Sequence, residues 1–146
     1  MDIYSALHED HLKMNALLEH ILSTTSDLLR SRLFKEAKQE LLLHTEAENT
    51  LFYEALREHK DLHEEIARAQ EEHQEIRKYL RKLNKLPIDT EKWLEQFGEF
   101  KHSVMHHVKN EGILFKKAKK LLTDAQASDL AVKMEEMKRK KLNPAA

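Results

Sequence analysis

Cysteine is absent from the 146-residue chain. Disulfides, iron–sulfur clusters and cysteine-ligated zinc are excluded with it. Glycine and proline occur only twice each. The residues that dominate instead, Ala, Leu, Glu, Lys and Arg, favour long helices joined by short connections. A charge of one sign is also missing. The 25 basic and 26 acidic residues leave a net charge of −1 with histidine neutral, so no global field draws the chain to nucleic acid or a membrane. The stretch Lys133–Lys141 is locally basic, but Glu135 and Glu136 interrupt it, and it reads as a solvated helix face. No apolar run approaches the ~18 residues of a membrane span. The N-terminus lacks a basic segment followed by an apolar one, so no signal peptide is expected. A cytoplasmic location is the default, with neither nucleic acid nor membrane as a partner. With 40% hydrophobic and 35% charged residues, residues 1–146 are expected to fold as a single domain around one core.

The apolar positions recur at helical spacing almost throughout. A first helix is expected over about Asp2 to Ser23, with Tyr4, Leu7, His11, Met14, Leu18 and Ile21 on one stripe. The polar cluster Ser23 to Asp27 breaks it. A second helix runs from about Ser31 to Glu58 with Ala37, Leu41, His44, Glu48, Leu51 and Ala55 in line. A third covers about Asp61 to Leu86 with Leu62, Ile66, Ala69, His73, Ile76, Leu80 and Leu83, and Pro87 ends it. Thr90 caps a fourth, expected to reach Leu122, with Trp93, Phe97, Phe100, Val104, His107, Glu111, Leu114, Ala118 and Leu121 in line. A shorter fifth helix follows from the Thr123-Asp124 cap to about Lys140, with an edge of Leu130, Met134 and Met137. Short loops make neighbouring helices antiparallel. The expected fold is all-α: an up-down-up-down four-helix bundle over about 2–122 with an added C-terminal helix over about 124–140.

Histidine is what the chain has in excess, with ten residues. Four of them, His11, His44, His73 and His107, occupy stripe positions where apolar side chains are expected, one in each bundle helix. His44 and His107 are each followed four residues later by glutamate, Glu48 and Glu111. Residues four apart differ by only about 40° in direction, so both pairs face the core. A carboxylate aimed into a dry core is strongly unfavourable unless it is paired or bound to a metal. Counted from the bundle end that four antiparallel helices share, all six residues lie roughly 14–23 Å along the axis. Imidazole nitrogen with carboxylate oxygen suits iron, manganese or zinc. The spacing predicts His11 and His44 on one metal and His73 and His107 on the other, with Glu48 and Glu111 bridging. The remaining histidines lie elsewhere. His20 and His59 are off the site, His102 and His106 point away from His107, and His8 flanks it. Glu46 and Glu72 neighbour ligands and are placed to orient them. Phe52, Trp93, Phe97, Phe100 and Phe115 are expected in the core, some of them walling the pocket.

The segments Glu9-Asp10-His11, Leu43 to Glu48 with Leu51-Phe52-Tyr53, Glu71-Glu72-His73, and His106-His107-Val108 to Glu111 with Leu114-Phe115 resemble the hemerythrin-like HHE cation-binding family. The resemblance runs through nearly the whole chain. It implies a four-helix bundle holding two non-haem iron ions, bridged by carboxylates and a solvent oxygen (oxo or hydroxo), although the same ligands accept Mn or Zn. It also implies O2 binding, O2 or redox sensing, or iron handling, in a monomer or weak oligomer. An enzyme turning over peroxide or NO is the alternative, and a metal-responsive interaction module without catalysis is a third reading.

The chain departs from the family pattern at two points. Respiratory hemerythrins carry a second histidine on the third helix one turn beyond the first, and Arg77 stands there. One metal therefore loses a nitrogen ligand, and a more open site is expected, with His8, Tyr4, Glu72 or His63 as a substitute ligand. Many relatives have a further acid after the fourth-helix glutamate. Here Gly112 follows, which is expected to loosen the helix by ~1 kcal/mol.

Overall fold

The structure is a computed structural model that describes residues 1–143; the last three residues of the expected 1–146 domain lie outside it. The described residues are helical, with no strand among them. Helix α1 spans Ile3–Ser23, and the Asp2 carboxylate caps it by accepting from the Ser5 amide. A second rod, α2, begins at Asp27. It runs as α-helix over Asp27–Ala47, takes a π-helical turn over Glu48–Phe52, and returns to α-helix over Tyr53–Leu56. It starts four residues before the expected Ser31, because the Ser26 hydroxyl accepts from the Leu29 amide and caps it there. The buried Arg30 lies in this added turn and donates to the Ile21 and Thr24 carbonyls at the end of α1. It thereby satisfies acceptors that a helix terminus leaves open.

A 3-10 turn, Lys60–Leu62, leads into α3, His63–Lys85. Thr90 caps α4, Glu91–Ala118, and a Thr123–Gln126 capping box opens α5, Asp124–Leu142. Helix α1 packs chiefly on α2, and α3 on α4, while α5 lies across α1 and α2. This is the expected four-helix bundle with an added C-terminal helix.

The expected stripes of α1, α3 and α4 are buried as far as Ala118. Three expected positions differ. Leu121 is exposed and Leu122 is buried in its place, because α4 ends at Ala118 and the helical phase no longer runs through Leu121. In α2, Leu51 and Ala55 are only half-buried, whereas Phe52, Tyr53 and Leu56 are fully enclosed. The π turn is the cause. It inserts one extra residue into the helix, so the inward face advances from 51 and 55 to 52, 53 and 56.

The apolar core falls into two layers. One gathers Ile3, Leu7, Phe52, Leu56, Leu62 and Leu114 with Leu130 and Met134 of α5. The other gathers Met14, Leu18, Ile21, Phe34, Ile76, Trp93 and Phe97. Between them lies a polar stratum formed by His11, His44, Glu48, His73, His107 and Glu111, all buried. No helix among the described residues is long and apolar enough to cross a membrane.

Candidate metal centre

Each bundle helix delivers its part because the side chain sits on the inward stripe at one level. Helix α1 brings His11, α2 brings His44 and Glu48, α3 brings His73, and α4 brings His107 and Glu111. The structure brings all six together. His11, His44, Glu48 and Glu111 each offer a ligand atom within 4.8 Å of one another, and so do Glu48, His73, His107 and Glu111. The two groups share their glutamates. Glu48 Oε1 lies 3.1 Å from both His44 Nε2 and His73 Nε2. Glu111 turns Oε1 to His11 Nε2 at 3.2 Å and Oε2 to His107 Nε2 at 3.4 Å.

The imidazoles converge by their Nε2 atoms, His11 on His44 at 3.2 Å and His73 on His107 at 3.0 Å. Two facing nitrogens that close require a proton or a cation between them. Three of their far nitrogens are held from outside. His44 Nδ1 donates to Asp10 Oδ2 at 2.8 Å, His107 Nδ1 to Glu72 Oε1 at 2.8 Å, and His73 Nδ1 to Asn49 Oδ1 at 3.2 Å. An Nδ1–H committed to an acceptor leaves the Nε2 lone pair of the neutral ring facing inward, which is how proteins orient metal-binding histidines.

Two buried carboxylate oxygens, Glu48 Oε2 and Glu111 Oε1, accept no hydrogen bond; the His11 Nε2 atom near Glu111 Oε1 does not meet it in hydrogen-bond geometry. A desolvated carboxylate oxygen without a donor is costly. Here it lies among nitrogen donors and a second carboxylate, a donor set that suits divalent first-row metals. The residues present therefore fit a pair of cations.

Without metal, protons must balance the charge. Burial alone would lower the His44 pKa, but the Glu48 carboxylate and the hydrogen bond to Asp10 outweigh it and push it up to about 10. Burial likewise opposes protonation of His107, and hydrogen bonds with Glu111, Glu48 and Glu72 carry it to about 12. Burial would raise Glu48, yet the charge on His44 holds it well below the usual carboxylate range. The metal-free stratum thus sets the Glu48 carboxylate against the imidazolium rings of His44 and His107.

Tyr53 also belongs to the site, although periodicity does not point to it. Its hydroxyl donates to Glu111 Oε2, and its ring stacks on His73 with centroids 5.6 Å apart. Burial and the carboxylates of Glu48 and Glu111 drive its phenol well above the ordinary value of 10. Regular α-helical phase turns residue 53 away from the face of Glu48; the π turn brings it back. The available signal was its place in the Leu51-Phe52-Tyr53 segment. Asp10 and Asn49 were also missed, each lying one residue from a stripe position.

The proposed substitute ligands sit elsewhere or play another part. His8 and His63 are exposed, and His63 instead lies 2.6 Å from the Arg57 carbonyl. Tyr4 packs edge-on against Phe52 and Phe115. Glu72 holds His107 from behind, as expected of an orienting carboxylate, and Asn110 donates to it at 2.7 Å. Glu46 faces Lys141 rather than a histidine. Arg77 lines a surface groove with Glu71, Glu75 and Arg81. Each half of the centre therefore has two histidines. His20, His102 and His106 are exposed, and His59 lies at the far end of α2 beside Glu58. Among the aromatics, Phe115 is half-buried and stacks parallel to His11 with centroids 6.2 Å apart.

A small cavity of about 10 Å3 abuts the rings of His11, His44 and His107, walled by Met14, Leu41, Ile76, Val104 and Val108. That is room for roughly one water-sized molecule.

A helical bundle whose dry core is cut by two histidine-rich groups joined through shared glutamates defines the class of bundle-held metal-binding domains. The sequence comparison narrows the class: the family model of the Hemerythrin HHE cation binding domain matches residues 2–118, and the chain belongs to that family. Among solved structures it is similar to a hemerythrin HHE cation binding domain-containing protein from Mycobacterium kansasii. The TM-score is 0.81 at 26% identity, covering 95% of this chain and 86% of that one. No curated protein matches it in sequence.

Proposed function

We propose that the chain is a dinuclear non-haem iron protein that binds O2 or a related small molecule such as peroxide or NO. His11 and His44 would hold one ion and His73 and His107 the other, with Glu48 and Glu111 spanning both. The observation that carries this reading is the sharing of the two buried glutamates between the two histidine pairs, with one oxygen of each lacking a partner. The iron would supply reversible electron transfer to a bound diatomic. The chain's own residues orient the imidazoles, exclude water and limit the space. The cavity of about 10 Å3 beside the rings is on the scale of one small molecule the size of water.

A second reading, turnover of peroxide or NO, is favoured by the four-histidine set. With Arg77 on the surface, each ion has few protein ligands and more positions open to exchange. The Tyr53 hydroxyl, which donates to Glu111, puts a proton-bearing group beside the site.

Anaerobic reconstitution with ferrous iron tests both readings. About two iron per chain is expected, with a ligand-to-iron(III) absorption band on admitting air. A persistent spectrum with O2 marks a binder, and bleaching with product marks an enzyme. Iron at trace level after reconstitution removes both.

A further inference from the structure

The C-terminal helix lies beyond the residues matched by the family, 2–118, yet it touches the support of the site. Leu130 and Met134 bury themselves in the core layer that holds Ile3 and Leu7. One turn further on, the Lys138 ammonium donates to Asp10 Oδ2. That same oxygen accepts from His44 Nδ1. The side chains of Lys138 and Asp10 are only 20% and 16% exposed, so the pair is largely withdrawn from water. Two further contacts fasten α5 beside the π turn that carries Glu48: Lys141 pairs with Glu46 at 3.3 Å, and Met137 Sδ lies 3.9 Å from Thr50 Oγ1.

The other half of the centre is supported differently. Glu72, behind His107, takes its hydrogen bond from the neutral Asn110 amide of α4 itself, and the acceptor behind His73 is the Asn49 amide oxygen of α2. The cation reaching in from α5 therefore serves the His11/His44 side alone among these three supports.

We propose that Lys138 is a positioning residue for that half of the centre. It pins Asp10 in the orientation that fixes the His44 ring, and so links docking of α5 to retention of the cation held by His11 and His44. The inference rests on the dinuclear reading above. Without the ammonium, the Asp10 carboxylate can swing toward solvent and the ring loses its outer anchor. Linkage is reciprocal, so a loaded site also holds α5 down.

The test uses the full-length protein loaded with Zn(II) alone and challenged with excess chelator, with the two release phases followed by an indicator dye. Lys138→Met should speed release of one ion about tenfold, the low end of what an outer partner of a ligand contributes, and leave the other phase nearly unchanged. Lys138→Arg should restore the slow phase. In an Asp10→Ala background, Lys138→Met should add less than about twofold, since the two act in series. Amide exchange in α5 should slow on zinc loading in the wild type but not in Lys138→Met. Equal acceleration of both phases, or undiminished acceleration in the Asp10→Ala background, would mean that Lys138 contributes only general packing, and would overturn the proposal. Two ions held with unchanged release in Lys138→Met overturn it while leaving the dinuclear reading standing. A wild type that retains only trace zinc removes both.

Discussion

At the scale of single residues, the chemistry of the centre follows from which atoms have partners and which do not. Glu48 Oε2 and Glu111 Oε1 are buried without a donor, and the Tyr53 hydroxyl holds the other oxygen of Glu111. Replacing Tyr53 by Phe removes that donor and leaves Glu111 Oε2 with only the His107 ring, at 3.4 Å, in a dry core. The metal-free variant should lose about 1–3 kcal/mol of stability in urea unfolding. Metal loading should recover much of that loss, because a cation takes over the freed oxygen. An unfolding midpoint unchanged without metal would show that the hydroxyl bears no weight there. Spacing alone singled out the six side chains now found in one stratum, because four of them put imidazole, and two put carboxylate, where a hydrophobic residue is expected. Of the outer partners, Glu72 is singled out by its place beside His73, while Asp10 and Asn49 are less visible: a polar residue beside a stripe looks like any solvated residue until a facing helix is placed against it.

At the scale of elements, the helices divide into regular ones and one irregular one. Stripes in α1, α3 and α4 are readable because a straight α-helix keeps its period. The π turn in α2 breaks that period at Glu48, and nothing local in Glu48–Phe52 marks it. It is stabilised by what it accomplishes in the bundle, the burial of Phe52, Tyr53 and Leu56 beside an inward Glu48. Gly112 is the opposite case. It was expected to loosen α4, but α4 runs unbroken from Glu91 to Ala118, and a Cβ built at Gly112 meets nothing within 4 Å. Gly112→Ala should therefore raise stability by about 1 kcal/mol through helix propensity and leave metal content at the wild-type level. Thermal melting with metal analysis checks both, and a fall in stability would reveal a packing constraint at that position.

At the scale of the whole molecule, the bundle concentrates opposite charges in one layer, and its stability depends on pH accordingly. In the metal-free protein His44 and His107 sit at about 10 and about 12, above the ordinary 6.5 of histidine. Their contribution is complete below pH 6.5 and fades as pH rises toward 10 and beyond. Glu48 lies well below its ordinary 4.5, so its contribution is complete above that value and fades as pH falls. Metal-free stability should peak between about pH 4.5 and 6.5. Metal binding must displace the two histidine protons, so the loaded protein should gain stability from that peak toward neutral and mildly alkaline pH. Unfolding midpoints measured from pH 4 to 10 with and without metal test this. Parallel curves would mean that these histidines keep their protons when metal is present.

Helix number, antiparallel order and the identity of the inward polar residues were all inherent in the linear order of side chains. Periodicity is a local property, and a charged residue on an apolar stripe stands out without knowledge of its neighbours. The pairing of histidines across helices, the entry of Tyr53, the absence of a replacement for the nitrogen missing at Arg77, and the reach of Lys138 to Asp10 across 128 positions depended on the packed bundle. Each is a distance between segments remote in the chain, set by how whole helices pack and by a π turn whose stability comes from the contacts it makes.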